Sequence, residues 1–305
     1  MSLIKRPHEL DVQTRIKAML YGQAGMGKST LALSAPKPLL LDFDEGVHRV
    51  NYGHQSPTVQ IHGWQEANQA LSEDLREFET IVVDTIGKMM DYIISYVTNG
   101  GIPQIRDWNR INAEFSGFCR KVSELNKNVI FVAHRDIRKE GDDTVFVPAL
   151  REKSYTAIVS ELDLLGYLEA KGNERILTFN PTSRNDGKNT CNLPGIIKLP
   201  IVVDQKTGAA LENTFFQTSV IAPYVNNLKK RMDDIRAYET TMGEIKDNIA
   251  LITDDISAND FVDRIDTFEH VGNSKAVAGQ LLSAKIREIG LTYNKESKRY
   301  ERTSA

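Results

Sequence analysis

The eight residues Gly22-Gln-Ala-Gly-Met-Gly27-Lys28-Ser29 constrain this chain more than any others. They match G-x-x-x-x-G-K-[ST] at every fixed position. An apolar run with Ile16, Ala18 and Leu20 precedes them, and a helical stretch over 28–34 follows, stopped by Pro36. That order, strand then glycine-rich turn then helix, is the context in which such a turn grips a phosphate chain. Glycines let backbone N–H groups curl around an anion without a Cβ clash. The helix N-terminus adds partial positive charge. Phosphate binding is therefore expected from Gly22, Gln23, Ala24, Gly25, Met26, Gly27, Lys28, Ser29 and Thr30. Lys28 is expected at the β- and γ-phosphates of ATP, and the Ser29 hydroxyl at Mg²⁺.

A phosphate loop needs an acidic partner at the end of another buried strand. Glu79-Thr-Ile-Val-Val-Asp84 supplies one, an apolar run closing in a carboxylate suited to the same metal ion. A second candidate strand ends Leu41-Asp42-Phe43-Asp44-Glu45. Carboxylates at the C-terminal edge of an open α/β sheet lie on its ligand side. Asp44 and Glu45 both qualify to deprotonate an attacking water, and spacing does not choose between them. A third strand, over 128–133, is followed by His134, a polar group placed to sense a γ-phosphate.

Further strands are predicted over 15–21, 38–43, 80–84, 162–169 and 175–180. Several are continuously apolar, as in a parallel sheet covered on both faces. Between them lie helices with 3.6-residue stripes. One stripe is Ile86, Met89, Met90, Ile93, Ile94 and Val97; another is Trp108, Ile111, Phe115, Phe118, Cys119, Val122 and Leu125. The alternation gives an α/β fold with a mainly parallel sheet flanked by helices. After about residue 215 the strands stop. Helical spacing continues through Ile221, Tyr224, Val225, Leu228 and Met232, and again from Phe261. Two parts are expected: an ATPase core over 1–215 and a helical appendage over 216–305 with a basic tail.

These motifs resemble the RecA-like phosphate-loop ATPases of tailed phages, a group that includes ATP-binding single-strand annealing and recombination proteins. The resemblance covers about residues 12–215. It implies a RecA-like core with the His134 strand between those leading to Lys28 and ending in Asp84. It implies a catalytic carboxylate after the second strand, which falls on Asp44 with Glu45 adjacent, and His134 as the polar sensor. It also implies ATP held between protomers of a homo-oligomer, with Arg184 or Lys188 of the loop over 182–189 reaching a neighbour's γ-phosphate.

Composition narrows the partners. With 38 basic and 41 acidic residues the net charge is −3, so bulk charge does not hold nucleic acid. Local candidates for single-stranded DNA are the loop over 99–108 and the stretch over 135–153, which carry cations beside aromatics. Charge is segregated in the appendage: 233–269 holds 3 basic and 11 acidic residues, whereas 270–305 holds 7 basic and 3 acidic. No apolar run reaches the roughly 20 residues of a membrane span. Cys119 and Cys191 form no metal or disulfide pattern, which fits the cytoplasm. The function expected is Mg²⁺-dependent ATP hydrolysis acting on single-stranded DNA in phage-type recombination or annealing. A motor or loader remodelling a replication or recombination protein partner, and a nucleotide switch with little hydrolysis, stay open.

Overall fold

The computed structural model describes residues 3–5, 9–10, 14–172 and 174–302. They divide into two compact units, Gln13–Asn227 and a second built on Leu228–Ala305. In the first unit the chain runs β1 (Lys17–Gly22), α1 (Lys28–Ala32), β2 (Pro38–Asp42), β3 (Thr58–Gln60), α2 (Trp64–Ala70) and β4 (Thr80–Asp84). It continues through α3 (Ile86–Thr98), α4 (Asp107–Glu124), β5 (Asn128–Glu140), β6 (Asp143–Pro148) and α5 (Glu152–Glu161). Then follow β7 (Leu164–Lys171), β8 (Glu174–Thr178), β9 (Lys188–Asn189) and β10 (Ile196–Lys198).

The sheet order is β10-β8-β7-β1-β5-β4-β2-β3. From β3 to β7 all neighbours are parallel, and β8 and β10 add an antiparallel edge. The central strands are buried on both faces: Met19, Leu20, Ile81, Val82, Ile130 and Val132 have no or almost no exposure. This is why they read as unbroken apolar runs. The helical stripes pack against the sheet. Ile86, Met89, Met90, Ile93 and Val97 of α3 are buried, as are Ile111, Phe115, Phe118, Cys119 and Val122 of α4. Fully burying such side chains stabilises by about 1.5–3 kcal/mol each relative to exposure. Thr85 caps α3, accepting from Lys88 N, and the helix stops at Asn99 in the left-handed region.

Three expectations change. The stretch after His134 is not a loop: β5 runs on to Glu140 and pairs antiparallel with β6 across Gly141 and Asp142. Gly141 takes φ 63°, the backbone a two-residue turn requires. The expected boundary at 215 and the division between Asn227 and Leu228 also differ. Residues just past 215 pack on the first unit: Phe216 N donates to Ser34 Oγ at 2.9 Å, and Asn227 Nδ2 to Cys191 O at 2.8 Å. Finally, the second unit is not wholly helical. After α6 (Ala222–Ala250), α7 (Asp255–Arg264) and α8 (Ser274–Glu288) comes a hairpin of β11 (Leu291–Asn294) and β12 (Arg299–Arg302). Tyr293 and Tyr300 face each other across it, ring centroids 5.3 Å apart. Ile245, Ala258, Phe261, Ala278, Leu282 and Ile286 form that unit's core. No helix among the described residues is long and apolar enough to cross a membrane.

Candidate nucleotide site

Parallel register brings the functional ends of four strands to one edge. Gly22 of β1 pairs with His134 of β5, Asp84 of β4 with Val132 of β5, and Asp42 of β2 with Asp84. The β5 strand therefore lies between the strand leading to Lys28 and the strand ending in Asp84.

Two glycines of the loop meet the expected backbone need, Gly25 at φ 75° and Gly27 at φ 84°. Gly22 is required for a different reason. A Cβ there would lie 2.5 Å from the Leu168 carbonyl oxygen of β7. It lets two strands approach rather than bending the loop.

Beside the loop lies a cavity of about 550 Å³ lined by Gly25, Gly27, Lys28, Ser29, Thr30, Asp44, Asp84 and His134. Ala24 also lines it. Gly22 and Gln23 act from behind, their carbonyls accepting from Lys28 Nζ at 3.1 and 2.9 Å. Met26 faces a neighbouring cavity instead. The Lys28 ammonium is nearly inaccessible, and burial holds its pKa below the ordinary value while Asp84 and Asp44 oppose the shift. Ser29 Oγ donates to Asp84 Oδ2. Burial pushes Asp84 up to about 6; the Ser29 hydrogen bond opposes this and Asp44 reinforces it. His134 is lowered by burial and then by the nearby Lys28 charge, which favours the neutral imidazole.

Geometry separates the two carboxylates that spacing left equal. Asp44 lines the cavity and is mostly covered, its Oδ2 accepting from Arg49 Nη2 at 2.9 Å. Glu45 sits at φ 51°, is 63% exposed, and faces His62 at 3.8 Å. It lines a different cavity, with Tyr92 and Lys88. Asp42 builds the turn that separates them, accepting from Asp44 N, Gly46 N and Val47 N at 3.3, 2.9 and 3.0 Å.

Arg184 and Lys188 are not brought to this cavity. Lys188 Nζ donates to Val159 O and Ser160 O at 2.9 and 3.0 Å, closing the C-terminal end of α5. Arg184 is exposed, and its guanidinium has no partner among the described residues. The two stretches proposed for DNA meet, Arg151 stacking on Trp108 at 4.0 Å. Arg135 lies over Phe146 at 4.4 Å and donates to Tyr167 OH, and Arg138 pairs with Asp186 and Glu140. Of the loop over 99–108, Ile102 and Ile105 are almost fully exposed.

Sequence reasoning missed Arg49, Arg175 and Asn213. Arg175 Nη1 donates to Met26 O at 3.4 Å and leans over Gly27; Asn213 Nδ2 donates to Thr30 O at 3.1 Å. None belongs to a local motif. Only the fold brings them to the loop.

The AAA domain family profile matches residues 14–191. The chain is similar to the SPbeta prophage-derived uncharacterized protein YorG of Bacillus subtilis (strain 168), 22% identical over 165 residues. The match covers 50% of each, so the chain spans about half the length of that curated relative. Among solved structures it is similar to the flagellar accessory protein FlaH from Methanocaldococcus jannaschii. That match has TM-score 0.38 and 14% identity, covering 65% of this chain and 89% of that one. It is also similar to a second solved ATPase domain, with TM-score 0.41 and 10% identity over 66% of this chain and 86% of that one.

Proposed function

Since the chain belongs to the AAA domain family of ATPases, we propose that it hydrolyses MgATP at this cavity and works on single-stranded DNA in phage-type recombination or annealing. One observation carries the ATPase reading: Lys28, Ser29, Asp84, Asp44 and His134, drawn from four separate strand ends, line a single cavity. The loop amides and Lys28 hold the phosphates. Asp44 deprotonates the attacking water, its carboxylate oriented by Arg49. His134 registers the γ-phosphate.

Ser29 Oγ and Asp84 Oδ2 are hard oxygen donors already in contact, and they fit Mg²⁺, which takes few protein ligands and keeps most of its waters. Bound there, the ion neutralises charge on the β- and γ-phosphates. The DNA reading draws support from the motif resemblance to phage recombination ATPases and from the similarity to a prophage protein. A homo-oligomer with Arg184 reaching the next protomer's site completes the proposal.

The test is steady-state phosphate release with Mg²⁺, with and without a single-stranded oligonucleotide. Magnesium-dependent turnover stimulated by the oligonucleotide is expected. Turnover indifferent to DNA removes the nucleic-acid part, and absence of MgATP binding by calorimetry overturns the whole reading.

A further inference from the structure

A second cavity, of about 250 Å³, adjoins the first. Gly27, Thr30 and Arg49 line both, so the two compartments meet along the phosphate loop. The second has an apolar interior made by Met26 and Leu31 on one side and by Leu199, Pro200, Val202 and Val203 on the other. The second wall belongs to a strap over 199–213, beyond the 14–191 family match. Side chains clasp the strap to the core: Asn51 Nδ2 donates to Gly208 O at 3.0 Å, and His54 Nε2 to Val202 O at 2.8 Å.

One atom in this cavity is out of balance. Asn213 Nδ2 donates to Thr30 O, which fixes the amide, because the reversed orientation would set oxygen against oxygen. The other end, Oδ1, is buried and accepts no hydrogen bond among the described residues. A buried acceptor left unpaired is costly, and an apolar pocket with one such polar atom is how small-molecule sites fix orientation. The missing donor has to come from a ligand.

We propose that this cavity takes the adenine base of the nucleotide whose phosphates sit on the loop, and that Asn213 Oδ1 accepts from its 6-amino group. The apolar walls suit the faces of a bicyclic base. Guanine in the same pose turns a carbonyl oxygen toward Oδ1 and is repelled. The inference rests on the phosphate reading of the loop and adds the reader of the base.

The test is calorimetric titration of the full chain with ATP, purine riboside triphosphate, GTP and tripolyphosphate, each with Mg²⁺. Wild type, Asn213→Ala and Val203→Phe are compared. Wild type is expected to bind ATP about ten-fold more tightly than the analogue lacking the amino group, the worth of one hydrogen bond. In Asn213→Ala that ratio falls to about one, and in Val203→Phe ATP binding weakens, while tripolyphosphate binds all three proteins alike. Equal wild-type affinities for ATP and the analogue, GTP binding as tightly as ATP, or an undiminished ratio in Asn213→Ala overturns the base assignment alone, provided tripolyphosphate still binds. If wild type binds no tripolyphosphate, the loop reading falls with it.

Discussion

Arg49 Nη2 sits 2.9 Å from Asp44 Oδ2, inside the cavity that holds Lys28 and Asp84, while the adjacent Glu45 is turned away from it. A guanidinium on one carboxylate oxygen fixes the other in direction. Asp44→Asn is therefore expected to lower kcat by about 10²- to 10⁴-fold, the range of a lost general base, with ATP affinity kept. Glu45→Gln is expected to leave kcat within about two-fold, since no catalytic contact is lost. Phosphate release and calorimetry on the two variants decide; the reverse ranking gives the base to Glu45.

Lys28→Ala removes the ammonium that the Gly22 and Gln23 carbonyls hold. Turnover is expected to vanish. Burial already disfavours the charged lysine, so thermal unfolding should show a folded protein with a midpoint within a few degrees of wild type. Normal turnover in this variant would remove the loop from the chemistry.

Asp84 predicts the direction of a pH effect. Its folded pKa of about 6 lies above the ordinary 3.8, so between those values the folded protein holds a proton that the unfolded chain has released. Without nucleotide and metal, this group's stabilising contribution is full below about pH 4 and is lost as pH rises through 6. Asp84→Asn should flatten that fall. At pH 7.5 the apo variant should be the more stable by up to about 3 kcal/mol, the equivalent of some two pKa units. It should also need more Mg²⁺ for any residual turnover. Urea melts of the two proteins from pH 4.5 to 7.5 test the sign.

Arg184 and Lys188 separate by their contacts. Lys188→Ala frees two carbonyls at the end of α5 and is expected to cost about 1 kcal/mol of stability. Arg184→Ala should leave the unfolding midpoint unchanged yet lower kcat by at least about 10³-fold if the residue serves a neighbouring protomer. Mixing Arg184→Ala with Lys28→Ala should then restore part of the activity, because one protein keeps the loop and the other the arginine. No recovery in the mixture removes the shared site.

The central sheet was legible because its strands are buried on both faces and its phosphate loop is local. The reach of β5 was not. Beyond His134 it alternates Arg135, Asp136, Arg138, Lys139 and Glu140, a charged pattern that reads as a solvated turn, and its pairing with Val145, Phe146 and Val147 is what makes it a strand. The β11–β12 hairpin was hidden in the same way, its Tyr293 and Tyr300 pair diluted by charged neighbours. Asp44 and Glu45 were indistinguishable until backbone turned one outward at φ 51°. Arg49 and Asn213 carry no pattern at all, and proximity to the loop is a property of the folded chain.

Because β5 passes through His134 without a break, the hairpin beyond it is geared to the nucleotide cavity. It is also tethered at its far side: Phe146 N donates to Arg184 O at 2.7 Å, and Arg138 grips Asp186. A tug on the imidazole by a departing phosphate would swing the Arg184 segment along with the hairpin, with no slack joint between them to absorb the stroke.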